Sequence, residues 1–176
     1  LVTVLVTIDV PGTEDWFKWY PTDRGYGSTF NRFSENMMHI NTSNEPAVLP
    51  EEIPVALRQI EAIDITDAKE LLIDLTVKFP DDQTVEMGIN GVPYWDSSPI
   101  EVQLGETHIW NVRNNTEFNH PFHLHGYFFQ VLDDNRILEW KDSVDIPVET
   151  ELKLAVRFGE RPGTWMYHCH ILDHAE

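Results

Sequence analysis

Residues 108–132 read HIWNVRNNTEFNHPFHLHGYFFQVL, a stretch in which two apolar runs border a histidine-rich segment. The runs are His108–Val112 and Gly126–Leu132, and the turn-forming pair Asn114-Asn115 follows the first of them. Short apolar runs that are bounded by turn residues predict β-strands. This stretch therefore favours an all-β fold over a helical one.

The same pattern of short runs and turns continues on both sides of this stretch. Pro80-Asp81-Asp82, Asn90-Gly91 and Pro162-Gly163 are among the turn signals. Many short strands at even spacing, with few helices between them, are typical of a β-sandwich or a barrel. The further apolar runs are Leu71–Phe79, Val85–Tyr94, Ile100–Leu104, Ile137–Trp140, Leu152–Phe158 and Thr164–His170.

The first 59 residues lack this regularity. Apolar and polar residues alternate in the opening LVTVLVTIDV, which predicts that residues 1–12 hold the last strand of a preceding domain. Residues 13–59 contain several prolines and little periodicity, so they are predicted to connect two domains, with one short helix near Pro54–Ile60. Residues 60–176 are predicted to form the final domain. The opening segment is too short and too polar for a signal peptide or a membrane span, so the chain is expected to be a piece of a longer protein.

The composition excludes some classes of function. The chain of 176 residues has 30 acidic and 12 basic residues and a formal net charge of −18. Such a surface repels phosphate backbones, so nucleic acid is not an expected partner, and solvation is the expected role of most of this charge. Cys169 is the only cysteine, so the chain cannot form an internal disulfide.

Six of the eight histidines fall in two short windows, and the second window also holds the cysteine. Neighbouring imidazoles are costly to bury without partners, which favours metal binding over a purely structural role. Structural zinc sites use four ligands in closely spaced pairs, and seven candidate donors are too many for one ion. A thiolate with two imidazoles suits a copper site with a weak axial ligand, and the other imidazoles suit further copper ions. The windows are HPFHLHG, residues 120–126, and HCHILDH, residues 168–174.

Strand geometry divides these donors between two places, because successive side chains on a strand point to opposite faces. The imidazoles of His168 and His170 are predicted to point one way and the thiol of Cys169 the other. The backbone that joins Cys169 to its two neighbours is then a short covalent path between two metal sites. The predicted converging imidazoles are those of His123, His125, His168 and His170, and the predicted partners of Cys169 are His120 and His174.

The two windows resemble the third and fourth copper motifs of the multicopper oxidases, the family that includes laccases, bilirubin oxidases and bacterial cuprous oxidases. Ile89-Asn90-Gly91 and Gly163-Thr164-Trp165 are also similar to the final cupredoxin domain of that family. The resemblance covers residues 60–176 and implies an all-β, cupredoxin-like Greek-key sandwich or barrel. It also implies that residues 1–12 end a preceding cupredoxin domain.

The resemblance implies a role for each donor. Family members oxidise phenols or aromatic amines at a type 1 copper and reduce dioxygen to water at a three-copper cluster, with four copper ions in the complete enzyme. Electrons would pass through Cys169, His168 and His170, which are the expected catalytic residues. Most members are periplasmic or secreted. The implied ligands are His120, Cys169 and His174 for type 1 copper, His123 for type 2 copper, and His125, His168 and His170 for the type 3 pair.

This sequence departs from the family pattern at three points. The family takes its remaining cluster ligands from two His-X-His motifs in the first domain, and no such motif precedes His120. Those ligands are expected from other cupredoxin domains of the same protein or from a partner chain. The axial type 1 ligand would lie beyond Glu176, and Ala175 stands where many bacterial relatives carry an acidic residue.

Two other functions remain open from the sequence. An oxidase of cuprous or ferrous ions would use the same motifs, although the pair Met37-Met38 is too short to be a methionine-rich segment. A simple electron-transfer cupredoxin would need only the type 1 ligands and would leave the other imidazoles without a task. Outside the two windows, His39 and His108 are not expected to be ligands. Asp142 is expected to serve a turn, with a hydrogen bond near the cluster as the alternative.

Overall fold

The computed structural model describes residues 6, 8, 10–18, 36–45, 59–133 and 138–171, and the chain divides into two compact units, Val2–Gln59 and Ile60–Glu176. Within the described residues, regular structure consists of strands and a single 3-10 turn, which confirms the predicted all-β class. The predicted strand in residues 1–10 and the predicted helix near Pro54–Ile60 lie mostly outside the described residues. None of the described helical segments is long and apolar enough to cross a membrane.

The smaller unit contains an antiparallel pair of strands, β1 (Glu14–Lys18) and β2 (Asn36–Asn41). The indole of Trp16 stacks on the imidazole of His39, with ring centroids 4.4 Å apart, and Glu14 pairs with the same imidazole at 2.8 Å. The sequence did not predict these two strands. Most of their side chains are exposed, so neither segment shows the apolar alternation that marks a half-buried strand.

The described part of the larger unit holds eight strands, and most of them follow the predicted apolar runs. Two predicted runs do not form strands: Ile100–Leu104 and the described part of Ile137–Trp140. The strands are β3 (Lys69–Lys78), β4 (Glu86–Ile89), β5 (Thr107–Asn114), β6 (His120–Leu124), β7 (Phe129–Val131), β8 (Ser143–Ile146), β9 (Glu151–Arg157) and β10 (Tyr167–Cys169), with the 3-10 turn at Tyr94–Asp96.

These eight strands form two sheets. The larger sheet has the order β4-β3-β5-β9-β7, in which only the β3–β5 pair is parallel. The smaller sheet has the order β10-β6-β8, and both of its pairs are antiparallel. The smaller sheet contains parts of both histidine windows, so strand pairing brings together segments that are more than forty residues apart in the sequence.

The core of the larger unit lies where the two sheets face each other. Alternation is clearest in β5, where every second side chain is buried. Ile73, Val112 and Leu154 of the larger sheet form one buried cluster with Phe122 and Ile146 of the smaller sheet, and all five side chains are fully buried. Each buried side chain of this size contributes about 1.5–3 kcal/mol. This packing fixes β6, and with it the histidines that β6 carries.

Candidate metal centre

The pairing of β10 with β6 decides which donors share a face. His168 lies opposite His123, and Cys169 lies opposite Phe122. Residues directly opposite each other in a ladder point to the same side of the sheet, and neighbours along a strand point to opposite sides. His168 and His123 therefore share one face, while the thiol of Cys169 lies on the other face, beside the core.

Four imidazoles meet on the first face. The ring centroid of His123 lies 4.5 Å from that of His125, 5.6 Å from that of His168 and 5.3 Å from that of His170. The Nε2 atoms of His125 and His168 are 3.0 Å apart. These are the four histidines that the sequence predicted to converge. Which ions they bind stays a prediction.

His125 and His170 lie just beyond the ends of β6 and β10, and main-chain hydrogen bonds hold them there. The amide of His125 donates to the carbonyl of Met166 at 2.9 Å, and the amide of His170 donates to the carbonyl of Pro121 at 2.7 Å. These bonds continue the β6–β10 ladder past both ends. All four imidazoles are therefore held by one continuous stretch of backbone pairing.

Hydrogen bonds on the outer ring nitrogen assign the protons of two of these imidazoles. Nδ1 of His123 lies 2.8 Å from the carbonyl of Asp142 and 2.9 Å from the hydroxyl of Ser143. Nδ1 of His168 lies 2.7 Å from the carbonyl of Cys169. A carbonyl only accepts, so both Nδ1 atoms carry the proton and both Nε2 atoms keep a lone pair for a metal. Asp142 contributes through its backbone carbonyl, and no pattern in the sequence indicated the role of Ser143.

The surroundings of His125 favour the neutral, metal-binding form of its imidazole. Burial lowers the pKa of His125, and the neighbouring imidazoles of His123, His168 and His170 lower it further, while Asp142 opposes the shift. Metal ligation requires an imidazole without the second proton. His125 is therefore held in the state that a metal ion needs.

The opposite face carries the second set of donors. Cys169 is 7% exposed and His120 is 3% exposed. His120 precedes Phe122 by two residues on β6, so its side chain lies on the same face as those of Phe122 and Cys169. Nε2 of His120 lies 2.8 Å from the hydroxyl of Thr116, a residue that the sequence analysis did not single out. The third predicted donor of this set, His174, lies outside the described residues.

A cluster around Trp165 ties the two histidine windows together. The indole Nε1 of Trp165 donates to the carbonyl of Arg161 at 3.1 Å, and the hydroxyl of Tyr127 donates to the same carbonyl. The guanidinium of Arg161 donates to the carbonyl of Gly126 at 2.9 Å. Gly126 follows His125 directly, so this cluster links the end of the first window to the segment that leads into the second.

The donors fit copper by their chemistry. Imidazole nitrogens and a thiolate are the ligands that copper takes in proteins, and the thiolate forms when the metal binds. Among the described residues, no three histidine, cysteine, aspartate or glutamate side chains lie close enough to hold one ion by themselves. Two other histidines have separate partners, since His39 pairs with Glu14 and His108 contacts Glu106 at 2.9 Å.

Known proteins with similar sequences carry the same kind of domain. A family model described as "Multicopper oxidase" matches residues 64–176. The chain is 34% identical over 88 residues to copper resistance protein A of Escherichia coli, in an alignment that covers 49% of this chain and 14% of that protein. It is 32% identical over 112 residues to the laccase of Bacillus subtilis, in an alignment that covers 50% of this chain and 22% of the laccase. The chain thus matches less than a quarter of the length of either relative.

Solved structures show the same fold. The McoA multicopper oxidase from the hyperthermophile Aquifex aeolicus aligns with a TM-score of 0.62 at 26% identity, covering 80% of this chain and 34% of that one. The predicted cupredoxin-like architecture is therefore confirmed for the larger unit.

Proposed function

Because the chain belongs to the multicopper oxidase family, we propose that it supplies the type 1 copper site and half of the three-copper cluster of a laccase-like oxidase. The complete enzyme oxidises phenols or aromatic amines in one-electron steps and reduces dioxygen to water. In this proposal His120, Cys169 and His174 bind type 1 copper, His123 binds type 2 copper, and His125, His168 and His170 bind the type 3 pair.

One observation carries this proposal: the only thiol and the four-imidazole cluster lie on opposite faces of the β6–β10 ladder. A single metal site would need its donors on one face. Two sets of donors, separated by one peptide unit on either side of Cys169, instead suit two metal sites that exchange electrons. The imidazoles of His123, His125, His168 and His170 lie with neighbouring ring centroids 4.5–5.6 Å apart, which supports a shared cluster as well.

When bound, copper supplies the one-electron chemistry that couples substrate oxidation to dioxygen reduction. The residues of this chain supply position and proton state. The backbone carbonyl of Asp142 accepts a hydrogen bond from Nδ1 of His123, and that of Cys169 accepts one from Nδ1 of His168. These bonds leave each Nε2 available to a metal and set the orientation of each ring. Cys169 and its neighbours His168 and His170 provide the covalent connection between the two sites, which is the catalytic role proposed for them.

The rest of the cluster comes from elsewhere in this proposal. The remaining imidazoles belong to other cupredoxin domains of the same protein or to a partner chain. The matches to the relatives support this, because they cover only 14% of copper resistance protein A and 22% of the laccase. Residues 1–12 are proposed to end a preceding cupredoxin domain, residues 13–59 to connect the two domains, and residues 60–176 to form the final one. The proposed location is periplasmic or secreted, by analogy with the family.

An oxygen-uptake assay tests the function. The complete protein is purified, loaded with copper and given a phenol in a closed oxygen electrode. We expect one dioxygen to be consumed for every four phenol molecules oxidised, because each phenol yields one electron. The Cys169→Ser protein, prepared in the same way, is the control. If the copper-loaded protein consumes no oxygen with phenols or aromatic amines, the laccase proposal fails.

A second function has a specific observation in its favour. The chain is 34% identical to a protein named copper resistance protein A, which supports the oxidation of cuprous or ferrous ions as the alternative. Comparing kcat/KM for a cuprous complex, a ferrous salt and a phenol on the same preparation separates the two. A copper content of one ion per complete molecule would instead indicate an electron-transfer cupredoxin, which the four-imidazole cluster disfavours.

A further inference from the structure

A buried polar network lies beside His120, on the core side of the smaller sheet. Asn114, the last residue of β5, is 0% exposed, Thr116 is 2% exposed and His120 is 3% exposed. Buried polar groups are stable only when hydrogen bonds satisfy them, so the protons in such a network have little freedom. Their positions follow from the identity of the surrounding acceptors.

The amide of Asn114 can adopt only one orientation. One terminal atom of this side chain lies 2.9 Å from the carbonyl of Phe118, 3.0 Å from that of Ile146 and 3.0 Å from that of Pro147. Carbonyl oxygens only accept, so this atom is the donor nitrogen, Nδ2. The other terminal atom is then Oδ1, and it accepts the backbone N–H of Thr116 at 2.9 Å.

The oxygen of Asn114 in turn decides where the hydroxyl proton of Thr116 points. Oγ1 of Thr116 lies 2.8 Å from Oδ1 of Asn114 and 3.1 Å from the carbonyl of Phe118. Both atoms are acceptors, and a hydroxyl has one proton to give. That proton is therefore used on one of these two oxygens and is not available to His120.

These acceptors decide which group donates in the hydrogen bond between Thr116 and His120. Oγ1 of Thr116 lies 2.8 Å from Nε2 of His120 and must accept, so Nε2 carries the proton. This is the opposite tautomer from those of His123 and His168, whose protons lie on Nδ1. The two faces of the β6–β10 ladder thus hold imidazoles of opposite tautomer.

We infer that Asn114 and Thr116 are positioning residues that fix the ring and the tautomer of His120, leaving Nδ1 as the nitrogen that binds type 1 copper. This inference rests on the proposed function, because it takes His120 as a copper ligand. A hydrogen bond from the outer ring nitrogen orients a ligating imidazole and raises its basicity, and its loss lowers metal affinity by about 10–100-fold. A more basic ligand also favours Cu(II), so the network lowers the reduction potential of the type 1 copper.

The test uses the complete protein and three variants. Thr116→Val removes the acceptor and keeps the shape, and Thr116→Ser restores a hydroxyl. Thr76→Val is the matched control, because the half-buried hydroxyl of Thr76 donates to the carbonyl of Gly88 at 3.1 Å and accepts the amide N–H of Gly91 at 3.2 Å, away from the histidine windows. We expect Thr116→Val to lose about 10–100-fold in type 1 copper affinity and to raise the reduction potential, and we expect Thr116→Ser and Thr76→Val to match the wild type.

A second measurement keeps the inference separate from the proposed function. Nitrogen-15 NMR of the metal-free complete protein, labelled at histidine, reports the tautomer of His120 without any copper. A proton on Nδ1 in the wild type overturns the inference, as does a Thr116→Val protein with unchanged affinity and potential. A proton on Nε2 supports the network even if the wild type binds no type 1 copper, a result that would refute only the proposed function. The NMR result also decides the matter if Thr116→Val does not fold.

Discussion

Replacing Gly126 with alanine should damage the connection between the two histidine windows. Gly126 has φ +76°, a conformation that residues with a side chain rarely adopt. A Cβ atom at this position would lie 2.4 Å from Cδ2 of Trp165 and 2.7 Å from both Cε2 and Cε3. Moving the ring away from this atom would break the hydrogen bond from its Nε1 to the carbonyl of Arg161.

The expected loss combines three effects on the free energy of unfolding. The left-handed conformation costs an alanine about 1–2 kcal/mol, and overpacking against a held ring costs about 1–3 kcal/mol. The alanine also lowers the conformational entropy of the unfolded chain, which offsets the destabilisation by about 0.4–1 kcal/mol. The net destabilisation expected for Gly126→Ala is therefore about 1–4.5 kcal/mol.

Gly105 provides the matched control. It has φ +91°, and a Cβ atom there would meet nothing within 4 Å. Gly105→Ala should therefore show the backbone effects without the steric one, and the two variants should differ by the overpacking cost, about 1–3 kcal/mol. Urea unfolding of the two variants and the wild type, all as complete metal-free protein, measures this difference.

A double-mutant cycle assigns the difference to the ring. Adding Trp165→Ala to Gly126→Ala removes the atoms that the new methyl group meets, so the double variant should be more stable than the sum of the single effects by about 1–3 kcal/mol. Equal destabilisation by Gly126→Ala and Gly105→Ala, or strict additivity in the cycle, would refute this reasoning.

Three further predictions concern the metal sites and the acid stability of the fold. Cys169→Ser should abolish the intense blue colour and substrate oxidation together, measured by absorption and oxygen uptake, and retained colour would contradict the type 1 assignment. His123→Ala should keep the blue colour and stop dioxygen reduction. Loss of the colour together with dioxygen reduction would contradict the assignment of His123 to type 2 copper. Hydrogen bonds from Lys69 and His108 lower the pKa of Glu106 from 4.5 to about 2, so its contribution to stability is present above pH 4.5 and is lost as the pH falls from 4.5 to about 2. Acid titrations followed by circular dichroism should show a smaller loss over this range in Glu106→Gln than in the wild type, and identical curves would count against the shift.

Local patterns explain why much of the candidate site was predictable. The histidine windows are short and lie on or beside strands, where the period of two residues assigns each side chain to a face. The two-residue period did not predict β1 and β2, because most of their side chains are exposed and apolar and polar residues do not alternate along them. It also gave no sign of β8, because four residues with two buried side chains are too few to show a pattern.

Other features of the site depend on contacts between distant segments. Ser143 and the carbonyl of Asp142 reach His123 because β8 pairs with β6, about twenty residues later in the chain. In the sequence, Asn114 and Asn115 indicate only a turn. The side chain of Asn114 is instead buried against the carbonyls of Phe118, Ile146 and Pro147, a role that composition and spacing do not reveal.

The sequence by itself predicted the candidate donors and the face on which each described donor lies, because strand alternation is a property of neighbouring residues. Only the three-dimensional structure decided which ring nitrogen of His120, His123 and His168 is engaged. That choice depends on the hydroxyl of Thr116 and the carbonyls of Asp142 and Cys169, each of which lies to one side of a ring. A hydrogen bond requires two atoms about 3 Å apart. Packing of the two sheets and their loops sets most of those distances, and no local pattern in the sequence specifies them.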